Sequence, residues 1–434
     1  MGKSRKKNSK FFNIKLKAGA LQYTIFIAVV IALLIFAFIS LTYTQQHFKA
    51  KTSTYLQTIR NTNVAVNYAS NIQLAYNEIV EIKLSDNEND NTSIKKQHWG
   101  VFDLITTTST IKKETFTKNA LLGGSLLKRP SLYLQDNNQP LVLVGDTRIE
   151  GNTLLPKQGV KRGTIAGNSY TGSQLIYGST GLSKTNLPKL KNREYLKQLA
   201  QGSIQLVNTI PLELDEDVTI LNSFNNFTQL FYSNTGIELR LIKLTGNIII
   251  QSNSTIRVYS SAQLTDVVLI APTIEILDKV TGNFQAFASK VISVGKNCQL
   301  EYPTSLILYE KETTSATIQN NNAIEDWNHV QIASGAAIRG VVGFLSDNEV
   351  NNYKPQVSID KNSSITGEVY CNQNIELKGE IIGSVFTKGF IANQFGSIYQ
   401  NHIYNGKIVN TNFPEEYSGL NIENSTKNVA KWLY

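Results

Sequence analysis

Histidine and cysteine are the residue types best suited to metal binding or nucleophilic chemistry, and this 434-residue chain has four of the first and two of the second. The histidines, His47, His98, His329 and His402, stand alone in the sequence. A zinc or redox site needs several such side chains at close spacing. The recognised hydrolase, metalloprotease and nucleotide-binding motifs are also missing from the sequence. We therefore predict a protein that is not an enzyme, with no catalytic residues, no metal site and no cofactor.

The two cysteines, Cys298 and Cys371, are far apart in the sequence, and each falls inside a strand-like run. Outside the cytoplasm they would form a disulfide only if their Cα atoms came within about 7 Å of each other. The alternative is that both are buried separately as small apolar side chains. The sequence leaves both interpretations open and favours separate burial.

The positive charge of the chain is concentrated at its N-terminus. The formal net charge is +9, and residues 1–17 hold seven cations and no acid, which leaves about +2 for the rest. A nucleic-acid partner requires a basic face on the folded part, so we expect none. The hydrophobic content of 41% is enough for a sizeable core.

The basic segment is followed by a membrane-spanning pattern. No charged residue occurs from 18 to 48, and Ile25–Ile39 is apolar at every position. With its flanks, the segment 20–43 reaches the roughly 20 residues that cross a bilayer. The alternative, a cleaved secretory signal, would have a shorter apolar region that ends at a small-residue site. Because the cations precede the span, we expect a single-pass inner (cytoplasmic) membrane protein with a cytoplasmic N-terminus and a periplasmic or extracellular C-terminal domain.

Beyond the span, apolar residues recur at helical spacing. They are Phe48, Tyr55, Ile59, Ala65, Tyr68, Ile72, Tyr76 and Ile79. This stripe predicts a helical stalk over 44–85, ended by the turn-forming run at 86–91. The stripe would pack either on a partner or on the C-terminal domain of the same chain.

The junction KLKAG-ALQYTIF at 15–26 resembles the processing site of type IV prepilins and type II secretion pseudopilins. In those families a prepilin peptidase cuts after a glycine that ends a short basic leader. The resemblance implies cleavage between Gly19 and Ala20, with Lys15 and Lys17 as leader cations. It also implies prepilin peptidase and other pilin-like proteins as partners.

The resemblance extends to two further features of the helix. Thr24 would occupy the fifth mature position, where most members have a glutamate that pairs with the freed amine of a neighbour. Its absence resembles minor pilins that are located at a filament tip. The stretch Arg60–Ile79 is similar in position and spacing to the helix of PilX-like minor pilins.

The C-terminal part of the sequence is a series of short runs rich in β-branched residues. From about 246 onward, runs of four to six residues are separated by Asn, Ser, Thr, Gly or Lys. Such spacing predicts a right-handed parallel β-helix, or solenoid, and the last segment resembles bactofilins and polysaccharide-active β-helix proteins. The alternative is an antiparallel sandwich. Six residues are predicted to point into the core: Ile248, Ile250, Val268, Ile270, Ile274 and Ile276.

The predicted fold is therefore mainly β with one long, pilin-like N-terminal helix. We expect six regions along the chain: a basic cytoplasmic leader at 1–19, a transmembrane helix at 20–43, a helical stalk at 44–85, a β-rich region at 86–182, a linker or loop at 183–203, and a β-solenoid with a C-terminal cap at 204–434. The linker contains one short helical pattern, at 193–200. The aromatic residues near the C-terminus are expected to form the cap.

These patterns predict a non-enzymatic envelope protein that resembles a minor pilin or pseudopilin and exposes a β-solenoid outside the cytoplasm. One alternative is a structural scaffold or adhesin anchored in the inner membrane, with an unidentified glycan or surface ligand. The other is a membrane-tethered, glycan-active β-helix enzyme. Four strand residues have side chains of the types that such enzymes use, namely Asp266, Lys290, Arg339 and Tyr399.

Overall fold

The computed structural model describes residues 18–84, 90–204, 209–214, 217–311, 328–348 and 353–433. The helices are α1 Ala18–Asn71 and α2 Arg193–Ala200. The first strands are β1 Ile79–Ile82, β2 Asp90–Trp99, β3 Phe102–Ile111, β4 Glu114–Ser125, β5 Leu132–Leu134, β6 Leu141–Val144, β7 Arg148–Glu150, β8 Thr153–Leu155, β9 Val160–Arg162, β10 Thr164–Ile165, β11 Asn168–Ser169 and β12 Thr180–Leu182.

The strands after α2 follow at short intervals. They are β13 Thr209–Pro211, β14 Thr219–Asn222, β15 Thr228–Ser233, β16 Ile237–Leu239, β17 Lys243–Gly246, β18 Ile248–Ser252, β19 Thr255–Val258, β20 Gln263–Ile276, β21 Thr281–Val294, β22 Gln299–Tyr309, β23 His329–Ile332, β24 Ala337–Leu345, β25 Val357–Ile359, β26 Ser364–Leu377, β27 Glu380–Gln394, β28 Ser397–Gln400, β29 His402–Tyr404, β30 Lys407–Val409 and β31 Thr426–Leu433. The predicted fold class, mainly β with one long N-terminal helix, is confirmed.

The prediction that the helical stalk runs to residue 85 is wrong, because α1 ends at Asn71. Asn77 adopts a left-handed conformation with φ of 65° and donates its backbone N–H to Lys96 O at 2.7 Å. The chain then enters β1, which pairs antiparallel with β2. The sequence of β1, IVEI, is rich in β-branched residues, so pairing with a neighbouring strand replaces the helix here.

An antiparallel sheet covers the second half of α1. Its strand order is β1-β2-β3-β4-β31, so the last strand of the chain pairs with one of the earliest strands. Alternation along each strand gives the sheet two different faces. Ile94 and Ile105 face α1, and Trp99 and Leu104 face the remainder of the β structure.

Most of the remaining strands form a stack of parallel coils, which we call the parallel stack, whereas β10 pairs antiparallel with β11 and β28 with β27. One buried column crosses seven successive parallel pairings and consists of Ile250, Leu269, Ala286, Leu306, Val342, Val369, Val385 and Leu132. In coils without a long insertion, the number of residues between one member of this column and the next is small and similar from coil to coil. These registers support the predicted solenoid and exclude the antiparallel sandwich; the hand of the coil stays a prediction.

Four of the six predicted core residues point into the parallel stack, and two point the other way. Ile248, Ile250, Ile274 and Ile276 belong to the inner core. Val268 and Ile270 are equally buried but belong to the outer core that α2 and the antiparallel sheet share, while Val267 and Leu269 occupy the inner positions. Asp266 has φ of 60° and interrupts the register between Thr265 and Val267. An irregularity of one residue exchanges the two faces of a strand, and this accounts for the error.

The predicted boundary at 204 and the predicted C-terminal cap are also wrong. Strands β5 and β7 pair in parallel with β27 and β30, so residues 132–182 extend the stack beyond its last C-terminal coils. The free backbone groups at that edge require partners, and the earlier strands supply them. Trp432 of the expected cap lies instead on β31 in the antiparallel sheet.

Candidate functional site

The strongest candidate site is the exposed first half of α1. Every residue from 19 to 53 is exposed, and among the described residues this helix alone is long and apolar enough to cross a membrane. Its large apolar side chains from Leu21 to Tyr43 are between 38% and 73% exposed. Water strongly disfavours so much apolar surface, so lipid or other apolar helices must cover it. The structure therefore has one candidate membrane anchor, at the predicted position.

The predicted processing bond lies in the first turn of α1. Gly19 and Ala20 are both helical, and a Cβ placed on Gly19 would meet no atom within 4 Å. No other described part of the chain therefore covers this bond. Lys15 and Lys17 lie outside the described residues. Thr24, the predicted fifth mature residue, donates its hydroxyl to Leu21 O at 2.9 Å within its own helix.

The face of α1 that packs on the sheet differs from the predicted stripe. The buried residues of this half form two adjacent rows with steps of four residues, namely Thr58, Thr62 and Val66, and Asn61, Ala65 and Ala69. Most are small or polar, and they allow the helix to approach the strands closely. Of the predicted stripe, Phe48, Tyr55 and Tyr68 remain 62%, 40% and 44% exposed. Ala65 of the stripe is fully buried against the sheet, so the predicted stripe is divided between the packed face and the exposed face of α1.

A second apolar ridge follows the outer side of the same half of α1. Leu56, Val64 and Tyr68 are 48%, 50% and 44% exposed, and with Arg60 they are spaced by four residues. We call these four residues the outer ridge. Side chains at this spacing lie on one face of a helix. The outer ridge therefore faces away from the sheet, and the exposed Lys49 and Lys51 separate it from the uncharged first half.

An aromatic and ionic cluster joins the end of α1 to the other elements, beside a cavity of about 760 Å³. The ring of His98 lies between those of Tyr76 and Tyr195, with ring centroids 3.6 and 3.9 Å apart. Tyr76 donates its hydroxyl to Asp103 Oδ1 at 2.8 Å, and Lys427 of β31 forms an ion pair with Asp103.

Burial lowers the pKa of His98 in this cluster to about 4, and the charges of Lys96 and Lys427 contribute to the lowering. His98 is consequently neutral near pH 7 and acts as a stacking ring. Burial also raises the pKa of Tyr76 to about 12, so this hydroxyl stays protonated. The cluster holds the segment between α1 and β1, strands β2 and β3, helix α2 and strand β31 together.

A buried ion pair fastens the segment before β31 to the parallel stack. Glu368, 1% exposed, pairs with Arg129 and accepts the Leu420 N–H at 2.7 Å. Arg129 also donates to Tyr417 O at 3.0 Å, and the Tyr417 hydroxyl donates to Gly340 O at 2.8 Å. Burial raises the pKa of Glu368, while Arg129 and the Leu420 N–H lower it.

A glycine corner makes room for this segment. Gly340, Gly367 and Gly383 stack on successive coils with φ between 140° and 148°. A Cβ on Gly367 would lie 1.9 Å from Gly340 O and 2.7 Å from the Tyr417 hydroxyl. Only glycine fits this conformation and this close approach.

The two cysteines are both buried and unbonded, so the disulfide does not form in this structure. Cys371 pairs with Phe344 of the preceding coil, and Phe344 pairs with Leu308 of the coil before that. Cys298 is on the same coil as Leu308 but at another position around it. The cysteines thus lie two coils apart and at different positions around the coil. Since each coil adds about 4.8 Å, two coils already exceed the Cα separation that a disulfide spans.

The residues considered for glycan chemistry are not gathered into one site. Asp266 forms an ion pair with Lys431 at 2.6 Å, and Arg339 pairs with Glu301 at 2.7 Å. Lys290 lies on β21 and Tyr399 on β28. Within the described residues there is also no group of three or more His, Cys, Asp or Glu side chains that could hold a metal ion.

Comparison with known proteins gives little independent information. No family model and no curated protein matches the chain. Among solved structures, the competence-associated pilin ComZ from Thermus thermophilus aligns with 84% of this chain and 88% of its own at 12% sequence identity and a TM-score of 0.20. A likeness this small carries no argument about fold or function. The class of the protein is defined by its own structure: a β-rich protein carried on one exposed apolar helix.

Proposed function

We propose that this protein is a non-enzymatic, pilin-like component of an assembly in the cytoplasmic membrane. The first half of α1 packs among the helices of other pilin-like subunits, and the sheet and the parallel stack lie outside the cytoplasm. The assembly is of the type IV pilus or type II secretion kind. The observation that carries the proposal is the extent of the exposed apolar surface on α1.

The length of the exposed uncharged helix favours an assembly over a simple anchor. The uncharged segment from 18 to 48 is entirely helical and would be about 46 Å long at 1.5 Å per residue. The hydrocarbon core of a bilayer is only about 30 Å thick. Uncharged helix therefore continues beyond the hydrocarbon core, and after Lys49 and Lys51 come the exposed apolar side chains of the outer ridge, which end at Tyr68. A scaffold or adhesin held by lipid alone has no use for this extension, whereas neighbouring helices would cover it.

The geometry of the N-terminal junction supports processing by a prepilin peptidase. The Gly19–Ala20 bond is uncovered by the rest of the described chain, and the apolar helix continues directly from it. Thr24 uses its hydroxyl within its own helix and brings no carboxylate to pair with the amine of a neighbour. This is consistent with a subunit at the tip of a filament.

Processing can be tested by replacing Gly19 with leucine and measuring the mass of the protein extracted from membranes of the native host. We expect the unchanged protein to begin at Ala20 and to be lighter than Gly19→Leu by the mass of the whole leader. Gly19→Ala is the matched control, because a small residue should retain some cleavage. If the unchanged protein and Gly19→Leu both keep their leader, the pilin-like proposal is contradicted and the anchored scaffold becomes the better account.

A further inference from the structure

A groove lies where the antiparallel sheet meets the first coils of the parallel stack. We call it the amide groove, and its cavity volume is about 860 Å³, within the range of ligand-binding sites. One wall comes from the face of β2, β3 and β4 that points away from α1. The other wall comes from β13–β15 and the turn before β15. The groove is lined mainly by amide, hydroxyl and aromatic side chains.

The wall nearest the parallel stack is held in place by hydrogen bonds between amides. Asn222 donates to Phe227 O at 2.9 Å and to Asn247 O at 2.8 Å. Asn247 in turn donates to Asn226 O at 2.9 Å and accepts the Thr228 hydroxyl at 2.8 Å. Because these side chains are fixed before a ligand arrives, binding them costs little conformational entropy.

A second chain of amides connects the two walls. Thr106 donates to Asn119 Oδ1 at 2.7 Å, and Asn119 donates to Asn225 Oδ1 at 2.8 Å. Gln229 is different, because its side-chain oxygen is buried and has no hydrogen-bond partner in the described structure. A buried acceptor without a partner is costly and requires an explanation. Rotation of the half-buried Gln229 side chain toward the groove would bring this oxygen within reach of a ligand hydroxyl.

The aromatic residues give the groove an apolar floor and rim. Trp99 and Phe224 are 4% and 6% exposed, and their rings meet edge to face with centroids 5.1 Å apart. Phe227 stands at the rim and is 63% exposed, so its ring is open to a ligand. An exposed ring beside the wall nearest the parallel stack can pack on the C–H face of a sugar while the exposed amides of Asn225 and Asn226 bind its hydroxyls.

The charge of the groove restricts the ligand. Among the described lining residues there is no carboxylate, and Lys95 supplies the one permanent positive charge. A strongly acidic or phosphorylated ligand would require more cations than this. Amide groups both donate and accept hydrogen bonds, and this suits the vicinal hydroxyl groups of a neutral sugar.

We propose that the amide groove binds a short neutral oligosaccharide, with Phe227 packing on a sugar ring and Gln229 accepting a hydrogen bond from a sugar hydroxyl. This inference concerns the part of the protein outside the membrane, so it does not depend on how α1 is processed or assembled. It gives the protein a second role, in contacting a glycan.

The test uses the full chain in lipid nanodiscs without glycolipid, titrated by calorimetry with chitotetraose, cellotetraose and maltotetraose. We expect at least one oligosaccharide to bind with a dissociation constant on the order of 1 mM or tighter. Phe227→Ala and Gln229→Leu should each weaken binding about tenfold, which corresponds to about 1.4 kcal/mol. Phe395→Ala is the matched control, because Phe395 is 73% exposed outside the groove and its loss should leave binding unchanged.

Saturation-transfer NMR with the same oligosaccharides then locates the contact, since the groove variants should lose the signal that Phe395→Ala retains. Failure of all three oligosaccharides to bind at about 5 mM would overturn the inference, because that concentration exceeds the expected dissociation constant. Binding that survives both groove variants would overturn it as well. Binding of a capped pentaglycine peptide in place of the sugars would assign the groove to peptides and likewise contradict the proposal.

Discussion

Replacing Ile250 with aspartate is expected to prevent the parallel stack from folding. Ile250 is fully buried and belongs to the inner column, paired with Leu269 of the next coil. An unpaired carboxylate at this position loses its hydration and gains no partner. The milder change Ile250→Ala should lower the free energy of unfolding by about 2–5 kcal/mol, a large part of the about 5–15 kcal/mol that stabilises a typical domain.

Circular dichroism and thermal melting of the full chain in detergent measure this effect. Leu221→Asp is the matched control, because Leu221 lies on β14 among the neighbouring coils and is 78% exposed. We expect this control to retain its β signal and its melting temperature. If Ile250→Asp melts like the unchanged protein, the inner column does not form the core of the stack.

Removing Arg129 is expected to be the most damaging change to a polar residue. Arg129→Met leaves the Glu368 carboxylate inside the protein with the Leu420 N–H but without its cation. Breaking one side of a buried ion pair costs about 3–5 kcal/mol. The segment before β31 would then loosen, and with it the pairing of β31 to β4. We expect a lower melting temperature and faster hydrogen exchange in β31.

Two further variants show whether the large loss of stability expected for Arg129→Met comes from the burial of its ion pair. Arg339→Met breaks an ion pair with Glu301 whose side chains are 61% and 54% exposed, and such surface pairs contribute about 0–1 kcal/mol. Combining Arg129→Met with Glu368→Gln removes both charges and should recover part of the loss. If Arg129→Met and Arg339→Met destabilise the protein equally, the buried ion pair does not hold the segment before β31 on the parallel stack.

Local patterns predicted the main elements, because helices and strands are specified by short-range periodicity. The exposed apolar half of α1 and the parallel strands both follow from such runs. The end of α1 was missed because the pairing of β1 with β2 replaces the helix that the stripe predicted. Val268 and Ile270 point away from the inner core, contrary to the prediction, because the irregularity at Asp266 shifts the alternation of the strand by one residue. This irregularity has no clear sequence signature.

The remaining features that the sequence did not predict depend on pairing between strands that are distant in the sequence. The joining of β31 to β4 and of β5 to β27 brings together segments from opposite ends of the β structure, and alternation within a strand does not specify a distant partner. The amide groove depends on the same long-range arrangement. Its one signal in the sequence is the run LNSFNNFTQ at 221–229, where two phenylalanines interrupt a cluster of amides.

The central claim is that α1 packs against the helices of other subunits, and photo-crosslinking in living cells of the native host tests it most directly. A photoreactive phenylalanine analogue is placed at Val64 or Leu56 on the outer ridge, with Lys113 in the exposed β3–β4 turn as the control site. We predict adducts from both ridge positions whose captured peptides come from the corresponding helix of another copy or of a protein with the same basic-glycine-apolar start. No adduct above the Lys113 level, or adducts with lipid alone, would contradict the assembly and leave α1 as a simple membrane anchor.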